Sequence, residues 1–356
     1  MKKLWAAVAG AALVCAGCPV TDMAGTPEWT PYGMIKASVS LDTNGSTNPG
    51  SGDYVTSVAN ADTDGRTSMT ARDSRVGGTL DMGAIKGKIE IDFHGETAAP
   101  NTGDVLFRHA YLTLDLGKNM TLLAGQTDDV FSPLCPNTLN YTVGWNVGNV
   151  GHRSPQIRWT WAPETGLIEG VAVALSDPNS ALIVMPDLQA RVGFRLSQRL
   201  LLGGSILIGK TDIGAAGEED IFGLGVDVNA KLSEKLKIVG EWHTGKNLIN
   251  YMGNVGVQYT NAQDIGDDSL WVAVDIKLKD NLAVNAGWMF DSNDEDDLPG
   301  IAGNNPEDNS CIFGNIIWSL NENTDVGIEV SKWETEYELG QVQDNLRIQG
   351  SLIVRF

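Results

Sequence analysis

Six basic residues, Arg75, Lys86, Lys88, Arg158, Arg191 and Arg195, fall on the polar phase of segments in which apolar and polar residues alternate. A seventh, Arg153, stands at the mouth of another such segment. In extended chain, successive side chains point to opposite faces, so cations in one phase share one face of their strand. Gathered around a water-filled space, such a face draws in anions. Acids occupy the same phase elsewhere: Glu90, Asp92, Asp227, Glu241, Asp275 and Glu329. Asp128 and Asp129 open a stretch holding Gly144, Gly148 and Gly151 together with Asn137, Asn140, Asn146 and Asn149. The chemistry on offer is attraction and sorting of charge. The four histidines, His94, His109, His152 and His243, lie in neither a G-x-S-x-G nor an H-E-x-x-H setting, and no motif points to a catalytic residue, metal or cofactor.

The elements that must position these charges are strands. Ile85, Gly87, Ile89, Ile91 and Phe93 alternate with Lys86, Lys88, Glu90, Asp92 and His94. Leu188, Ala190, Val192, Phe194 and Leu196 alternate with Gln189, Arg191, Gly193 and Arg195. Similar runs cover 222–232 and 270–278. Period-two alternation of this kind marks strands with one apolar and one polar face. Strands are expected at 32–42, 68–81, 85–94, 105–116, 120–126, 154–162, 167–175, 187–196, 200–211, 220–232, 236–243, 270–278, 282–291, 310–320, 325–336 and 344–356. Their number is about sixteen and their lengths approach the 9–11 residues of a tilted membrane strand. The phase of 105–116 is ambiguous, which leaves Arg108 unplaced.

The connections come in two kinds. Leu116-Gly-Lys-Asn-Met120, Leu196-Ser-Gln-Arg-Leu200, Leu232-Ser-Glu-Lys-Leu236 and Leu278-Lys-Asp-Asn-Leu282 are near copies of one short turn. Between them lie long loops at 43–66, 95–104, 127–152, 176–186, 212–219, 244–269, 291–309 and 337–343. Short turns on one side and long loops on the other are the pattern of an all-β transmembrane antiparallel barrel. After the N-terminus no run of about 18 apolar residues occurs that a membrane helix would need.

The 356 residues carry a net charge of −20, which argues against nucleic acid as a partner. Lys2 and Lys3 precede an apolar run, Leu4 to Ala16, of the length of a secretion signal. Residues 1–24 are taken as that signal and 25–356 as one barrel domain. Cleavage near Ala16 is the other option, and Ala16-Gly17-Cys18 leaves lipidation of Cys18 open. Beyond the signal only Cys135 and Cys311 remain. The phase of 310–320 turns Cys311 inward near the outer mouth, and Cys135 would meet it there if its loop, 127–152, enters the barrel; the compartment permits oxidation, so the two are candidates for a disulfide.

The chain ends Leu352-Ile-Val-Arg-Phe356, with Ile348, Gly350, Leu352, Val354 and Phe356 on one apolar face. A terminal aromatic in strand register resembles the targeting signature of outer-membrane barrels. Trp159, Trp161, Trp242, Trp288 and Trp318 share the outward phase and suit interfacial belts. Tyr32-Gly-Met-Ile-Lys-Ala-Ser-Val-Ser40, Ala71-Arg-Asp-Ser-Arg-Val-Gly77, Arg108-His-Ala-Tyr-Leu-Thr-Leu114, Leu123-Ala-Gly-Gln-Thr127 and Ser154-Pro-Gln-Ile-Arg158 resemble trimeric Gram-negative porins, most of all the DcaP-like porin family. The resemblance implies a homotrimer in the outer membrane. It implies a loop, 127–152 here, that folds inward and narrows the pore opposite a basic wall. The expected function is a water-filled channel for small polar solutes, with a preference for anions, in contact with outer-membrane lipid and lipopolysaccharide. The acidic run Asp291 to Asp297 does not fit an EF-hand and reads as a solvated loop, with divalent bridging to lipopolysaccharide as its other use. A non-conducting structural or adhesive barrel, and a barrel enzyme, remain the alternative readings.

Overall fold

The computed structural model describes residues 26–48, 52–61, 63–95, 103–178, 183–212, 217–257, 264–298 and 304–356. The expected signal segment lies outside the described residues. The alternating stretches become strands. They run as β1 (Glu28–Asp42), β2 (Thr47–Asn48), β3 (Ser57–Val58), β4 (Arg66–Thr70), β5 (Arg75–Met82), β6 (Ile85–Asp92), β7 (Leu106–Gly117), β8 (Met120–Asp128), β9 (Arg153–Trp161) and β10 (Ile168–Ser176). The series continues with β11 (Ile183–Ser197), β12 (Leu200–Asp212), β13 (Glu218–Ser233), β14 (Leu236–Lys246), β15 (Gly266–Lys279), β16 (Leu282–Asn293), β17 (Pro306–Asn321), β18 (Thr324–Tyr337) and β19 (Val342–Arg355).

The pair β2–β3 is a small hairpin inside the first long loop. β4 and β5 both pair with β1 and form one stave in two pieces. Every other strand pairs antiparallel with its sequence neighbours, and β19 returns to β1, closing a barrel of sixteen staves. Closure leaves no free edge, which satisfies every strand's hydrogen bonds in a medium that offers none.

The faces are those expected. Along β1, Ile35, Val39 and Leu41 are exposed while Lys36, Ser38, Ser40 and Asp42 are buried. Along β18 and β19, Ile328, Val330, Leu346, Ile348 and Leu352 are exposed, and Glu329, Ser331, Asn345, Arg347 and Gln349 are buried. Apolar residues outside and polar ones inside invert the usual soluble arrangement and fit a lipid-facing belt. Trp242, Trp288 and Trp318 are exposed on that belt. The C-terminal Phe356 stays in register: its backbone N–H donates to Gly33 O at 3.1 Å and its carbonyl accepts from Gly33 N at 2.9 Å. A side chain at Gly33 would begin 2.6 Å from the Phe356 ring, so glycine there makes room for the terminal aromatic.

The interior departs from a purely polar lumen. One apolar cluster joins Val55, Val58 and Val147 from two loops to Trp271, Met289, Cys311, Phe313 and Trp333 on the wall. A second joins Phe131, Val150, Leu248 and Tyr251 from loops to Leu207 and Ile221 on the wall. Three long connections, 43–65, 129–152 and 247–265, therefore send segments into the barrel, where only 127–152 was expected to enter. Inward apolar wall residues such as Trp271 and Trp333 are the sockets on which these segments dock.

Candidate pore constriction

Segment 129–152 crosses the barrel interior and is fastened to the wall at both ends and at its tip. At its start, Gln189 Oε1 accepts from Val130 N at 2.7 Å and Phe131 N at 2.9 Å. Next, the Glu241 carboxylate accepts from Ser132 Oγ at 2.6 Å, Leu134 N at 2.9 Å and Trp271 Nε1 at 3.0 Å. Asn137 Nδ2 donates to Asp275 at 2.8 Å, and its carbonyl accepts from Asn315 at 2.8 Å. At the tip, Glu329 accepts from Thr138 Oγ1 at 2.7 Å, Leu139 N at 2.7 Å and Asn315 Nδ2 at 2.9 Å. Leu139 O accepts from Lys36 Nζ at 2.7 Å and Gln349 Nε2 at 2.9 Å.

The segment then turns back. Tyr141 Oη donates to Asp92 at 2.9 Å. Gly144, Gly148 and Gly151 all adopt positive φ, as their spacing suggested. At Gly148 a Cβ would strike the backbone of Leu270 and Phe290, so only glycine lets the loop lie flat on the wall there.

The residues facing open lumen on this segment are Pro133, Cys135 and Asn137, all exposed. Asn140 and Asn149 were expected to line the pore and do not. They are 4% and 2% exposed and bond within and between loops. Asp129 is also buried. Its carboxylate accepts from Ser154 Oγ at 2.6 Å, Gln189 Nε2 at 3.0 Å and His152 N at 3.0 Å, and burial pushes its carboxyl up. Asp128 is exposed.

The basic residues expected on one wall differ in their surroundings. Arg75, Lys88, Arg153 and Arg158 stand on the wall around the loop's two ends. Lys88 lies 3.4 Å from Glu90 and 5.7 Å from the centre of the Tyr32 ring. Arg153 packs over Trp145 at 5.5 Å and reaches His152 Nε2 at 3.2 Å. Arg158 donates to Asp128 O at 3.4 Å. Nε of Arg75 and of Arg153 has no hydrogen-bond partner. Arg191 is neutralised by Asp227 at 2.8 Å and Glu169 at 3.6 Å. Lys86 and Arg195 stand at the short-turn end of the barrel. They sit close to the short turns at 83–84 and 198–199, where Lys86 pairs with Asp81 at 2.7 Å and Arg195 donates to Glu164 O at 3.2 Å. They belong to the rim, because phase fixes the face and not the height.

Arg108 is an inward cation that phase analysis could not place. The β6–β7 ladder slips between Glu90 and Ile91, so Glu90 faces His109 while Ile91 faces Phe107. This bulge turns both Arg108 and His109 into the lumen. Arg108 then bridges Glu90 at 2.9 Å and Asp92 at 2.8 Å, placing a fixed cation beside Tyr141 of the loop. Two neighbours of one phase break, Phe107 outward and Arg108-His109 inward, were the visible signal.

Cys135 and Cys311 are free thiols in the structure. Cys311 is 2% exposed and packed in the apolar cluster with Met289 and Trp333. Cys135 is exposed in the lumen, with Asn149 Nδ2 at 3.9 Å from its Sγ. Val147 of the loop, not Cys135, packs in the cluster with Cys311, so the bridge expected from an entering loop and an inward Cys311 is not formed.

No family model and no curated protein matches the chain. Solved structures do. The outer membrane channel DcaP of Acinetobacter baumannii is similar over 94% of this chain and 100% of its own, with TM-score 0.81 and 20% identity. An anion-selective porin from Comamonas acidovorans matches over 93% and 100%, with TM-score 0.63 and 14% identity. OmpT, an outer membrane protein of Vibrio cholerae, matches over 96% and 100%, with TM-score 0.61 and 11% identity. The chain thus has the fold of these outer-membrane barrels: sixteen antiparallel staves closed around an interior that a long loop enters.

Proposed function

We propose that the chain is an outer-membrane porin of Gram-negative type, a passive channel for small polar solutes with a preference for anions, and not an enzyme. One observation carries the reading. An apolar-belted barrel has its third long loop folded inside, facing a wall where Arg75, Arg153 and Arg158 form no ion pair among the described residues. Around that wall five bases, Arg75, Lys88, Arg108, Arg153 and Arg158, meet four acids, Glu90, Asp92, Asp128 and Asp129. The excess is positive, and fixed charges away from bulk water are screened less than charges on outer loops. The similarity to an anion-selective porin and to the DcaP channel supports the same reading.

A homotrimer embedded in lipid and lipopolysaccharide is part of the proposal. It rests on resemblance, and on an outward groove lined in part by the small residues Ala37, Ala71 and Gly350, which leaves room for a second copy to approach closely. Purified protein in a planar bilayer tests the function. Stepwise conductance with a reversal potential favouring anions in a salt gradient is the expected result. Insertion without conductance would leave the structural-barrel reading standing instead.

A further inference from the structure

The outer end of the wall between β15 and β16 carries a feature that the channel reading does not use. Ser269 pairs with Asp291 across the ladder, and Asp267 lies two residues before Ser269 on the same inner face. All three are more than nine-tenths buried: Asp267 at 4%, Ser269 at 1% and Asp291 at 0% exposure. Asp267 is paired with Asn293, two residues beyond Asp291, so the two carboxylates are neighbours on the inner face of adjacent strands. Neither forms an ion pair with a base among the described residues. Lys246, beside the cavity described next, is held by Asp264 at 2.5 Å.

One oxygen of each acid is in use. Asp267 Oδ2 accepts from Asn254 N at 3.0 Å and Asp291 Oδ1 from Val255 N at 3.2 Å. The others, Asp267 Oδ1, Asp291 Oδ2 and Ser269 Oγ, have no partner. Beside them a cavity of about 500 Å³ is lined by Asp267, Asp268, Asp294, Glu295, Asp296 and Asp308, with no Lys or Arg in its lining.

Two neighbouring carboxylates removed from water do not both stay charged with nothing between them. Either a proton or a cation must lie there. An all-oxygen donor set without His or Cys selects a hard cation. The acid-lined cavity gives such an ion a path and raises its local concentration. Among the described residues no three acids, histidines or cysteines converge on one point. The ion therefore keeps several of its waters, as magnesium and weakly held calcium do.

We propose that Asp267 and Asp291, with Ser269, bind one hard divalent cation, Mg²⁺ or Ca²⁺, at the outer mouth. The ion fastens the inward segment 247–257 to the wall, because the same carboxylates hold the Asn254 and Val255 amides. Stripping the ion loosens this segment without unfolding the barrel.

Calorimetric titration of the detergent-solubilised, chelator-treated chain with calcium chloride, and separately with magnesium chloride, tests this. One saturable site per chain is expected for at least one ion, with slower hydrogen exchange at Asn254 and Val255 when it is filled. Asp267→Asn and Asp291→Asn each keep an oxygen for the amide they serve, so the barrel survives, as its heat-modifiable gel mobility would report. Each weakens the site at least about tenfold, a loss of about 1.4 kcal/mol. Asp294→Asn with Asp296→Asn, on the cavity rim, leaves it intact. No saturable binding by the wild-type chain, or full binding by the Asp267→Asn/Asp291→Asn double variant, overturns the proposal. So does uptake of one proton per chain at neutral pH with no metal effect, since a proton is then the occupant.

Discussion

Glu329 is the wall residue whose loss should free the loop tip most directly. Its carboxylate accepts from Thr138 Oγ1, Leu139 N and Asn315 Nδ2, and it is 2% exposed. Glu329→Ala removes the acceptor of all three bonds. Thr138 is only partly buried and can turn to water. Asn315 Nδ2 keeps its bond to Asn137 O at 2.8 Å. Leu139 N–H, on a residue 3% exposed, is left with no acceptor. A hydrogen bond to a charged group contributes about 1.5–3 kcal/mol, and a stranded buried donor costs about 1–3 kcal/mol. The docked tip is then weakened by on the order of 3 kcal/mol, after allowing for water that enters the space vacated by the side chain. At 1.4 kcal/mol per factor of ten, the undocked population rises about a hundredfold. Lys36 and Gln349 still hold Leu139 O, so the tip flickers instead of leaving. Single-channel recording should show added open-state noise, and hydrogen exchange at the Leu139 amide should quicken about a hundredfold. A quiet current of wild-type size, together with unchanged protection at Leu139, would refute the clamp.

Replacing Arg75, Arg153 and Arg158 together with Ser leaves two bases against four acids on that wall, so the reversal potential should change sign towards cations; an unchanged anion preference would show that selectivity is set elsewhere. A thiol reagent added without reductant should modify Cys135 and spare Cys311, and a bulky adduct there should cut conductance. Labelling of neither cysteine before reduction and of both after it would mean that the two are bridged after all. Burial first, then Arg153 and Arg108, push His152 down to about 3. A histidine with a lowered folded pKa stays neutral as pH falls from 7 to 5, while the unfolded chain takes up its proton, so His152 lowers stability in acid and adds no pore charge. His152→Gln should therefore keep the wild-type selectivity at pH 5 and lose less thermal stability than wild type between pH 7 and pH 5; a selectivity change at pH 5 confined to wild type would contradict the assignment.

Much of the fold was legible in the chain itself. Period-two alternation states which face of each strand meets lipid, because a slip of one residue would turn every side chain over. The repeated Leu-polar-polar-polar-Leu/Met turns mark one end of the barrel, and Phe356 closes the register against Gly33. The split stave at 66–82 was read as one strand, and in pairing it is one. These features are local, set by backbone geometry and by the solvent each face must suit.

The site was legible only as a set of faces. Whether a loop enters depends on contacts distant in sequence, such as Leu139 with Lys36 and Gln349, or Val147 with Trp271 and Trp333. No pattern near residue 139 announces them. The height of a charge along the barrel separated Lys86 and Arg195 from Arg158. A bulge, one extra residue in a ladder, brought Arg108 to the pore. Pairing then decided which charges stay free, neutralising Arg191 and leaving Arg75, Arg153 and Arg158 without an acid. Alternation determines in or out, a one-dimensional property. Constriction and charge balance are sums over groups that only the closed barrel brings within a few ångströms of each other, where electrostatics and hydrogen bonding take effect.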